Sequence, residues 1–307
     1  MDNNYSRQFL IILAFLSIYL IWGATYLAIA IAVKEIPPFV VASSRFIIAG
    51  VILVGYVLAK GEPMPSMRVL INNFIVGGIV LVGGQGLLMW SEQYIASGYA
   101  SILIATLPFM FVLLDRKHWS YYFSNYMIIL GLVVGFIGII LLFRDKLNEP
   151  LPTEDIRLQI IASIAVLMGG ACWVSGTLYY RSHPSSGSMY SNLGWQLISA
   201  AFISFIVSLV LGEYGHFPVA DISWQSWTSV LFLAFAGSII AFVAYTWLLK
   251  ELPSAIVGTY AYINPVIAVF MGWWIANEVI SIDQIWGMLI ILAGAFLVNM
   301  NRNHGKS

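Results

Sequence analysis

Two polar side chains within one long apolar segment have the chemistry of a binding site. Tyr260 and Asn264 are four residues apart, so a helix places them on one face. An amide at mid-segment needs hydrogen-bond partners and faces protein or a cavity rather than hydrocarbon. Asn264 therefore predicts either a contact for a polar solute or a hydrogen bond that joins two helices.

Two further stripes combine indole, hydroxyl and phenol groups. Trp22, Thr25 and Tyr26 share one helical face, and Trp173, Thr177 and Tyr180 mark a similar face later in the chain. Such stripes serve either helix packing or contact with a partly apolar solute. Their occurrence in corresponding segments of the two halves of the chain favours the solute.

One arginine lies well inside an apolar segment, in VVASSRFIIAG. Burying Arg45 costs at least about 2.5 kcal/mol unless it reaches the headgroups or an acid. Glu92 lies at a compatible depth and shares a helical face with Gln85. We therefore predict an Arg45–Glu92 pair or network on the outer side; separate snorkelling of the two side chains is the alternative. Gln196 stands at the place equivalent to Arg45, so the charge is not duplicated.

The elements that position these residues must be membrane helices. The chain is 60% hydrophobic and 9% charged, whereas soluble domains are about 45–50% apolar and 25% charged. A bilayer core requires about 20 apolar residues per helix. We count ten such segments, at roughly 8–33, 38–59, 69–92, 96–114, 122–143, 157–180, 189–211, 224–249, 252–274 and 282–300.

Landmarks in the first half recur in the second half in the same order. Trp90, Ser97 and Pro108 recur 157 residues later as Trp247, Ser254 and Pro265; Gly131 and Gly138 recur as Gly287 and Gly294, and Trp22 as Trp173. The series indicates internal duplication, although apolar helices also resemble one another by chance. We place the copies at residues 1–148 and 149–307. Five helices per copy is an odd number, so the predicted fold is all-α, with ten transmembrane helices in two inverted five-helix repeats.

Two prolines lie about eleven residues into their helices, near mid-membrane at 1.5 Å per residue. Pro108 and Pro265 therefore predict helix breaks that free the carbonyls of Ile104 and Ala261. These carbonyls either face a polar cavity, or the kinks only shape packing. Nine loop cations on the amino-terminal side against four on the other predict that both termini are cytoplasmic.

Signatures of several other classes are missing from the sequence. It has no GxxxxGK[ST], HExxH or CxxC motif, its four histidines lie in loops, and its net charge is zero. We therefore expect no catalytic residues, no cofactor, no metal and no nucleic-acid partner. The expected partners are the lipid bilayer and a small-molecule substrate, and the sequence leaves room for a homodimer.

Four stretches resemble the EamA-type permeases of the drug/metabolite transporter superfamily: WGATYLA, SRFIIAG, SEQYIASGYASILIATLPFMFVLL and YAYINPVIAVFMGWWIANEVISIDQIWG. The resemblance implies a bacterial inner-membrane permease that exports amino acids or related metabolites. It also implies that helices 1, 3, 4, 6, 8 and 9 surround a central cavity, and that helices 2 and 7 act as gates. In that fold Arg45 belongs to an outer gate, and the cavity is lined by Trp22, Thr25, Gln85, Trp173, Tyr260 and Asn264. DRKHWS replaces the acid-containing turn that the second copy has as ANEVIS, so this end of helix 4 departs from the family pattern.

The function predicted from the sequence is a secondary transporter of small organic metabolites, with amino acids as one candidate, that works by alternating access. The alternative from another class is an intramembrane enzyme acting on a lipid or small amphiphile, with Glu92 as its strong acid. A receptor or scaffold that binds a solute without moving it is a third interpretation.

Overall fold

The computed structural model describes residues 2–95, 97–144, 153–216, 222–276 and 280–300. These residues form helices and turns without a strand. The helices are α1 (Asp2–Ala32), α2 (Pro38–Ala59), α3 (Met67–Val76), α4 (Leu87–Ser91), α5 (Ser97–Ile104), α6 (Leu107–Leu114), α7 (Trp119–Ser124), α8 (Tyr126–Leu142), α9 (Ile156–Ser182), α10 (Met189–Val210), α11 (Trp224–Phe232), α12 (Ala241–Glu251), α13 (Ser254–Gly258), α14 (Tyr260–Ala276) and α15 (Ile282–Met300). The protein is all-helical, as predicted.

Seven continuous helical stretches within the described ranges are long and apolar enough to cross a membrane. An eighth arises if the bent pair Tyr99–Leu114 and Arg116–Ser124, which meet at 68°, counts as one span. Two shorter apolar helices, Tyr126–Leu142 and Ile282–Val298, complete the set. Each of the ten predicted segments contains helix, but only seven or eight of the described helices are long enough to cross a membrane.

Helices α8 and α15 pack closely through glycines. A Cβ on Gly131 would lie 2.7 Å from the carbonyl oxygen of Gly294, and one on Gly138 would lie 3.0 Å from that of Gly287. Earlier residues of α8 thus meet later residues of α15, so the helices run antiparallel. Small residues allow this approach in membrane helices, where close packing replaces the hydrophobic effect between helices.

The glycine contacts of α8 and α15 are reciprocal. Gly131 and Gly138 are the residues that recur as Gly287 and Gly294, and each meets the counterpart of the other. Reciprocal contact between equivalent surfaces is the mark of two-fold symmetry. The two copies therefore meet here about a local two-fold axis, which we call the pseudo-dyad.

A second antiparallel contact joins α2 and α10. A Cβ on Gly50 would lie 2.9 Å from the backbone nitrogen of Ile198, and one on Gly194 would lie 3.1 Å from that of Val54. Because α2 and α10 are the second helices of the two copies, these copies run in opposite directions at this contact too.

Two stretches of π-helix occupy the same place in the two copies. Gly77–Gly86 joins α3 to α4, and Leu233–Ile240 joins α11 to α12. When the two copies are aligned at an interval of 157 residues, Gly77 corresponds to Ala234, so the two stretches overlap. π-Helix is rare and occurs most often at functional sites, and the sequence patterns gave no sign of it.

The two prolines differ in their effect on the helix. The predicted break at Pro108 is present: α5 ends at Ile104, and Pro108 lies in the first turn of α6, where its missing N–H needs no partner. The predicted break at Pro265 is wrong, because α14 runs through this residue. The helix is interrupted at Thr259 instead, whose hydroxyl donates to the carbonyl oxygen of Ile256 at 2.7 Å.

A polar cluster lies beside the end of α6, in the segment DRKHW that the sequence analysis sets apart from the family pattern. Asp115 is buried, and the hydroxyl of Tyr122 donates to it at 2.9 Å. The same hydroxyl accepts from the backbone nitrogen of Ala255 at 3.4 Å. Next to it, Arg181 donates to Ser254. These contacts join α7 and α9 to the start of α13.

Candidate functional site: a cavity between the two repeats

A cavity of about 80 Å³ lies between helices of both copies. A water molecule needs roughly 10–15 Å³ on this measure, so the space holds several waters. Its walls come from α1, α2, α4, α5, α6, α9, α14 and the first π-helical stretch. The lining residues are Trp22, Thr25, Tyr26, Ile29, Arg45, Gly84, Gln85, Leu88, Ile104, Leu107, Val166, Gly169, Gly170, Trp173, Tyr260 and Asn264.

Most of the predicted substrate-binding residues lie on this cavity. The structure brings together seven of them, Trp22, Thr25, Tyr26, Gln85, Trp173, Tyr260 and Asn264, and it adds Arg45 from the predicted gate. Pro108 and Pro265 are buried in the protein but are not part of the lining. Most residues of the polar stripes predicted from the sequence therefore share one space.

Trp22 and Trp173 form the aromatic centre of the cavity. Their ring centroids are 5.6 Å apart in an edge-to-face arrangement, and the ring of Tyr260 lies 4.8 Å from that of Trp22. Trp22 Nε1 donates to the carbonyl oxygen of Gly237 at 3.2 Å, within the second π-helical stretch. Because Trp22 and Trp173 are equivalent in the duplication, their contact lies on the pseudo-dyad.

Tyr245 supports this centre and was not predicted. Its hydroxyl accepts from Trp173 Nε1 at 3.1 Å and lies 3.0 Å from the hydroxyl oxygen of Thr177. The interval of 157 residues relates Tyr245 to Leu88, which lines the cavity from the other copy, but no shared residue type marks the pair in the sequence. Tyr245 thus fixes the orientation of one indole of the pair.

Thr177 and Gln196 are predicted site residues that lie away from the lining, as do Glu92 and the two prolines. Thr177 is behind Trp173 and is bonded to Tyr245. Gln196 is buried between α3 and α10, where its Nε2 donates to Asn73 at 3.2 Å, and Asn73 in turn donates to Asn192 at 2.9 Å. The geometry of Gln196 is that of an amide joining two helices rather than that of a residue facing a solute.

The predicted Arg45–Glu92 pair is not formed. The guanidinium of Arg45 donates from Nη2 to Gln85 Oε1 and lies over the ring of Phe46, 4.6 Å from its centroid. The physical reason is distance along the helix. Gln85 precedes Glu92 by seven residues, or about 10 Å of helical rise, so an arginine held by the first does not reach the second.

Three buried polar groups are left without hydrogen-bond partners near the cavity. Among the described residues these are Arg45 Nε, the side-chain oxygen of Asn264 and both carboxylate oxygens of Glu92. Buried polar atoms are nearly always paired, so an unpaired one indicates a ligand, an ion or water at that place. Arg45 and Asn264 line the cavity and offer one donor and one acceptor to an occupant.

The contact between Arg45 and Gln85 gives a testable expectation. Because Arg45→Ala leaves the partly buried oxygen of Gln85 without its donor, we expect it to lower the free energy of unfolding by about 1–3 kcal/mol. Adding Gln85→Ala should then cost clearly less than its own single effect, with a coupling energy of roughly 0.5–3 kcal/mol. Thermal unfolding of the four detergent-purified proteins measures this cycle.

The matched cycle replaces Gln85→Ala by Glu92→Gln. Here we expect the two effects to add within about 0.5 kcal/mol, since these side chains do not touch. A large coupling energy between Arg45 and Glu92, together with additive effects of Arg45→Ala and Gln85→Ala, would support the ion pair and contradict the observed contact.

The comparisons with known proteins agree with the duplication. The model of the EamA-like transporter family matches residues 9–144 and 160–300. The Escherichia coli (strain K12) protein named as uncharacterized inner membrane transporter YedA is 30% identical over 299 residues, covering 94% of this chain and 90% of the relative. A Bacillus subtilis (strain 168) transporter, YoaV, is 23% identical over 94% of this chain and 96% of its own.

A more distant relative and one solved structure complete the comparison. A probable amino-acid metabolite efflux pump of Escherichia coli (strain K12) is 19% identical, over 92% of each chain. One crystal structure matches with a TM-score of 0.75 at 16% identity, covering 96% of this chain and 98% of the other, so it has the same fold. The family match covers both copies, and the relatives are named as transporters. The chain belongs to the EamA-like transporter family and is a multi-pass membrane transporter of the inner membrane.

Proposed function

We propose that this transporter is a secondary exporter of small organic metabolites, with amino acids as the first candidates, and that it works by alternating access. One observation carries the proposal: a cavity with aromatic walls lies between the two copies and is centred on their equivalent tryptophans, Trp22 and Trp173. Secondary transporters with inverted repeats bind their solutes at such a place, where one copy rocks against the other.

The proposal includes ten spans in two inverted repeats with both termini in the cytoplasm. The antiparallel contacts of α8 with α15 and of α2 with α10 support opposite orientation of the copies. The 17 residues of α8 rise about 26 Å, close to the hydrocarbon core of about 30 Å. Labelling of cysteines placed at the two ends would locate both on the cytoplasmic side, and labelling on opposite sides would contradict the ten-span arrangement.

An amino acid suits the chemistry of the cavity. Trp22, Trp173 and Tyr260 offer ring faces to an apolar side chain, and aromatic faces also attract an ammonium group. Arg45 Nε is a free donor for a carboxylate, and the side-chain oxygen of Asn264 is a free acceptor for an ammonium. The relative named as a probable amino-acid metabolite efflux pump supports the same class.

Counterflow into proteoliposomes tests the proposal. Vesicles that contain the purified protein and are loaded with one unlabelled amino acid should accumulate the same radiolabelled amino acid transiently, and protein-free vesicles should not. A panel of apolar, aromatic and polar amino acids then identifies the class. Binding without counterflow would indicate a receptor instead of a transporter.

The competing interpretation is an intramembrane enzyme. It predicts chemical conversion of a solute or lipid by the protein in detergent, where no second compartment exists. We expect mass spectrometry to recover every solute of the panel unchanged after incubation. A new product that depends on the protein would favour the enzyme.

A further inference from the structure

Glu92 is a partly exposed residue whose carboxylate oxygens are buried, and it takes no part in the cavity lining. It caps the C-terminal end of α4, and both of its carboxylate oxygens are shielded from solvent without a hydrogen-bond partner in the described part of the chain. An ionised carboxylate in such a place loses its hydration without compensation, and binding a proton removes most of that cost. The position therefore has the properties of a proton-binding site.

The helices packed against α4, which ends next to Glu92, place no cation in contact with this carboxylate in the described part of the chain. Helix α4 contacts α2, α9 and the first π-helical stretch. The ionisable side chains of these elements are Arg45 and Tyr56 on α2, and Arg157, Cys172, Tyr179, Tyr180 and Arg181 on α9. Within the described residues none of them bonds to Glu92, and Arg45 is engaged by Gln85. A proton is the simplest ligand, since it needs only the carboxylate itself, whereas a metal cation needs several oxygen ligands around it.

Tyr26 connects this acid to the cavity. Its side chain lines the cavity and lies within range of the charge that Glu92 carries when it is ionised. Leu88, one turn before Glu92, also lines the cavity. A solute that displaces Tyr26 therefore changes the surroundings of Glu92, and the charge on Glu92 changes the surroundings of the solute. Such mutual influence is what coupling between two ligands requires, and it acts equally in both directions.

We propose that Glu92 binds the proton that this transporter exchanges for its solute. The inference rests on the transport function proposed above and adds its energy source. When the cavity is empty the carboxylate takes up a proton and becomes a neutral acid; when solute binds, the O–H bond breaks and the proton leaves to water. No other bond forms or breaks, and each solute moved in one direction is balanced by a proton moved in the other.

The experiment compares downhill exchange with uphill accumulation in the same proteoliposomes. For one-for-one exchange with the membrane potential held at zero, a gradient of one pH unit sustains about tenfold accumulation of a neutral solute, because the two gradients are then worth the same free energy. We expect wild-type protein to show this with a radiolabelled amino acid that passes the counterflow test, and a protonophore to abolish it. Glu92→Gln should show accumulation of about onefold, with counterflow that no longer depends on pH.

Two controls make the outcome specific. Glu154→Gln is the same chemical change at an exposed position and should accumulate solute like wild type. If Glu92→Gln yields too little folded protein, solute binding to detergent-purified wild type should release a proton into weakly buffered solution, as read by a pH indicator. At high pH the aspartate of Glu92→Asp is already ionised, so this variant should release no proton when solute binds. Proton release from wild type, without release from Glu92→Asp, would agree with the site.

Several results would overturn the inference. Accumulation by Glu92→Gln equal to wild type removes the residue from coupling. Counterflow without any effect of a pH gradient, or accumulation driven by a sodium gradient, rejects the proton while the proposed function stands. Absence of counterflow in wild type rejects the transport function and the coupling together.

Discussion

Gly294→Ala is expected to lower the free energy of unfolding by about 3 kcal/mol, the upper part of the usual range for overpacking. The added Cβ would lie 2.5 Å from the backbone nitrogen of Gly135 and 2.7 Å from the carbonyl oxygen of Gly131. Backbone atoms cannot rotate away as a side chain can, so α8 and α15 must separate along their contact. Thermal unfolding of the detergent-purified variant, followed by the loss of its monodisperse elution peak, measures the effect.

Gly55→Ala is the matched control. This glycine lies on α2, and a Cβ there meets nothing within 4 Å. Since alanine favours a helix over glycine by up to about 1 kcal/mol, the control should unfold at the same temperature or a higher one. Equal loss of stability in both variants would show that a general effect of glycine replacement, rather than the contact of α8 with α15, is being measured.

Asn264→Leu is expected to reduce counterflow roughly 5- to 150-fold, while the protein inserts and unfolds as wild type does. The range corresponds to about 1–3 kcal/mol for the loss of one hydrogen-bond acceptor to the solute. Because the side-chain oxygen of Asn264 has no partner in the described structure, its removal breaks no bond between helices. Counterflow rates and thermal unfolding, measured on the same preparation, separate the two roles of this residue.

The control for this variant is Asn72→Leu. Asn72 donates to the hydroxyl oxygen of Ser185 at 2.6 Å and is not part of the cavity lining, so counterflow should stay close to wild type. Unimpaired counterflow in Asn264→Leu would remove the residue from the site. A large drop in its unfolding temperature would assign Asn264 to helix packing instead.

Most of the polar and aromatic residues that line the cavity could be predicted from the sequence, because they follow two simple patterns. Trp22, Thr25 and Tyr26 follow the helical period, and the duplication relates Trp22 to Trp173, 151 residues later. Trp22 and Trp173 lie on the lining, whereas Thr177, one turn after Trp173, lies behind it on Tyr245. Tyr245 escaped because its counterpart in the first copy is Leu88, so neither a shared residue type nor a polar stripe marked it.

The partner of Arg45 could not be read in the same way. Gln85 and Glu92 share one helical face and differ by about 10 Å along the helix. The position of Arg45 along that axis decides between them, and the sequence pattern does not give it to within about two turns. The predicted break at Pro265 was wrong for a related reason. A proline weakens a helix locally, but the packing and hydrogen bonds of its neighbours decide where the helix is interrupted. Here the interruption lies at Thr259.

The paired π-helical stretches have a consequence for how each copy changes its shape. A π-turn stores one surplus residue compared with an α-turn. If that surplus moves along the span, the segment it passes turns by about 100° and slides by about 1.5 Å, with its backbone hydrogen bonds re-formed behind it. Gly84 and Gln85 of one stretch lie on the cavity, and Gly237 of the other holds the indole of Trp22. Each copy thus has a surplus residue that allows the part of the helix near the cavity to rotate while the rest of the helix keeps its place.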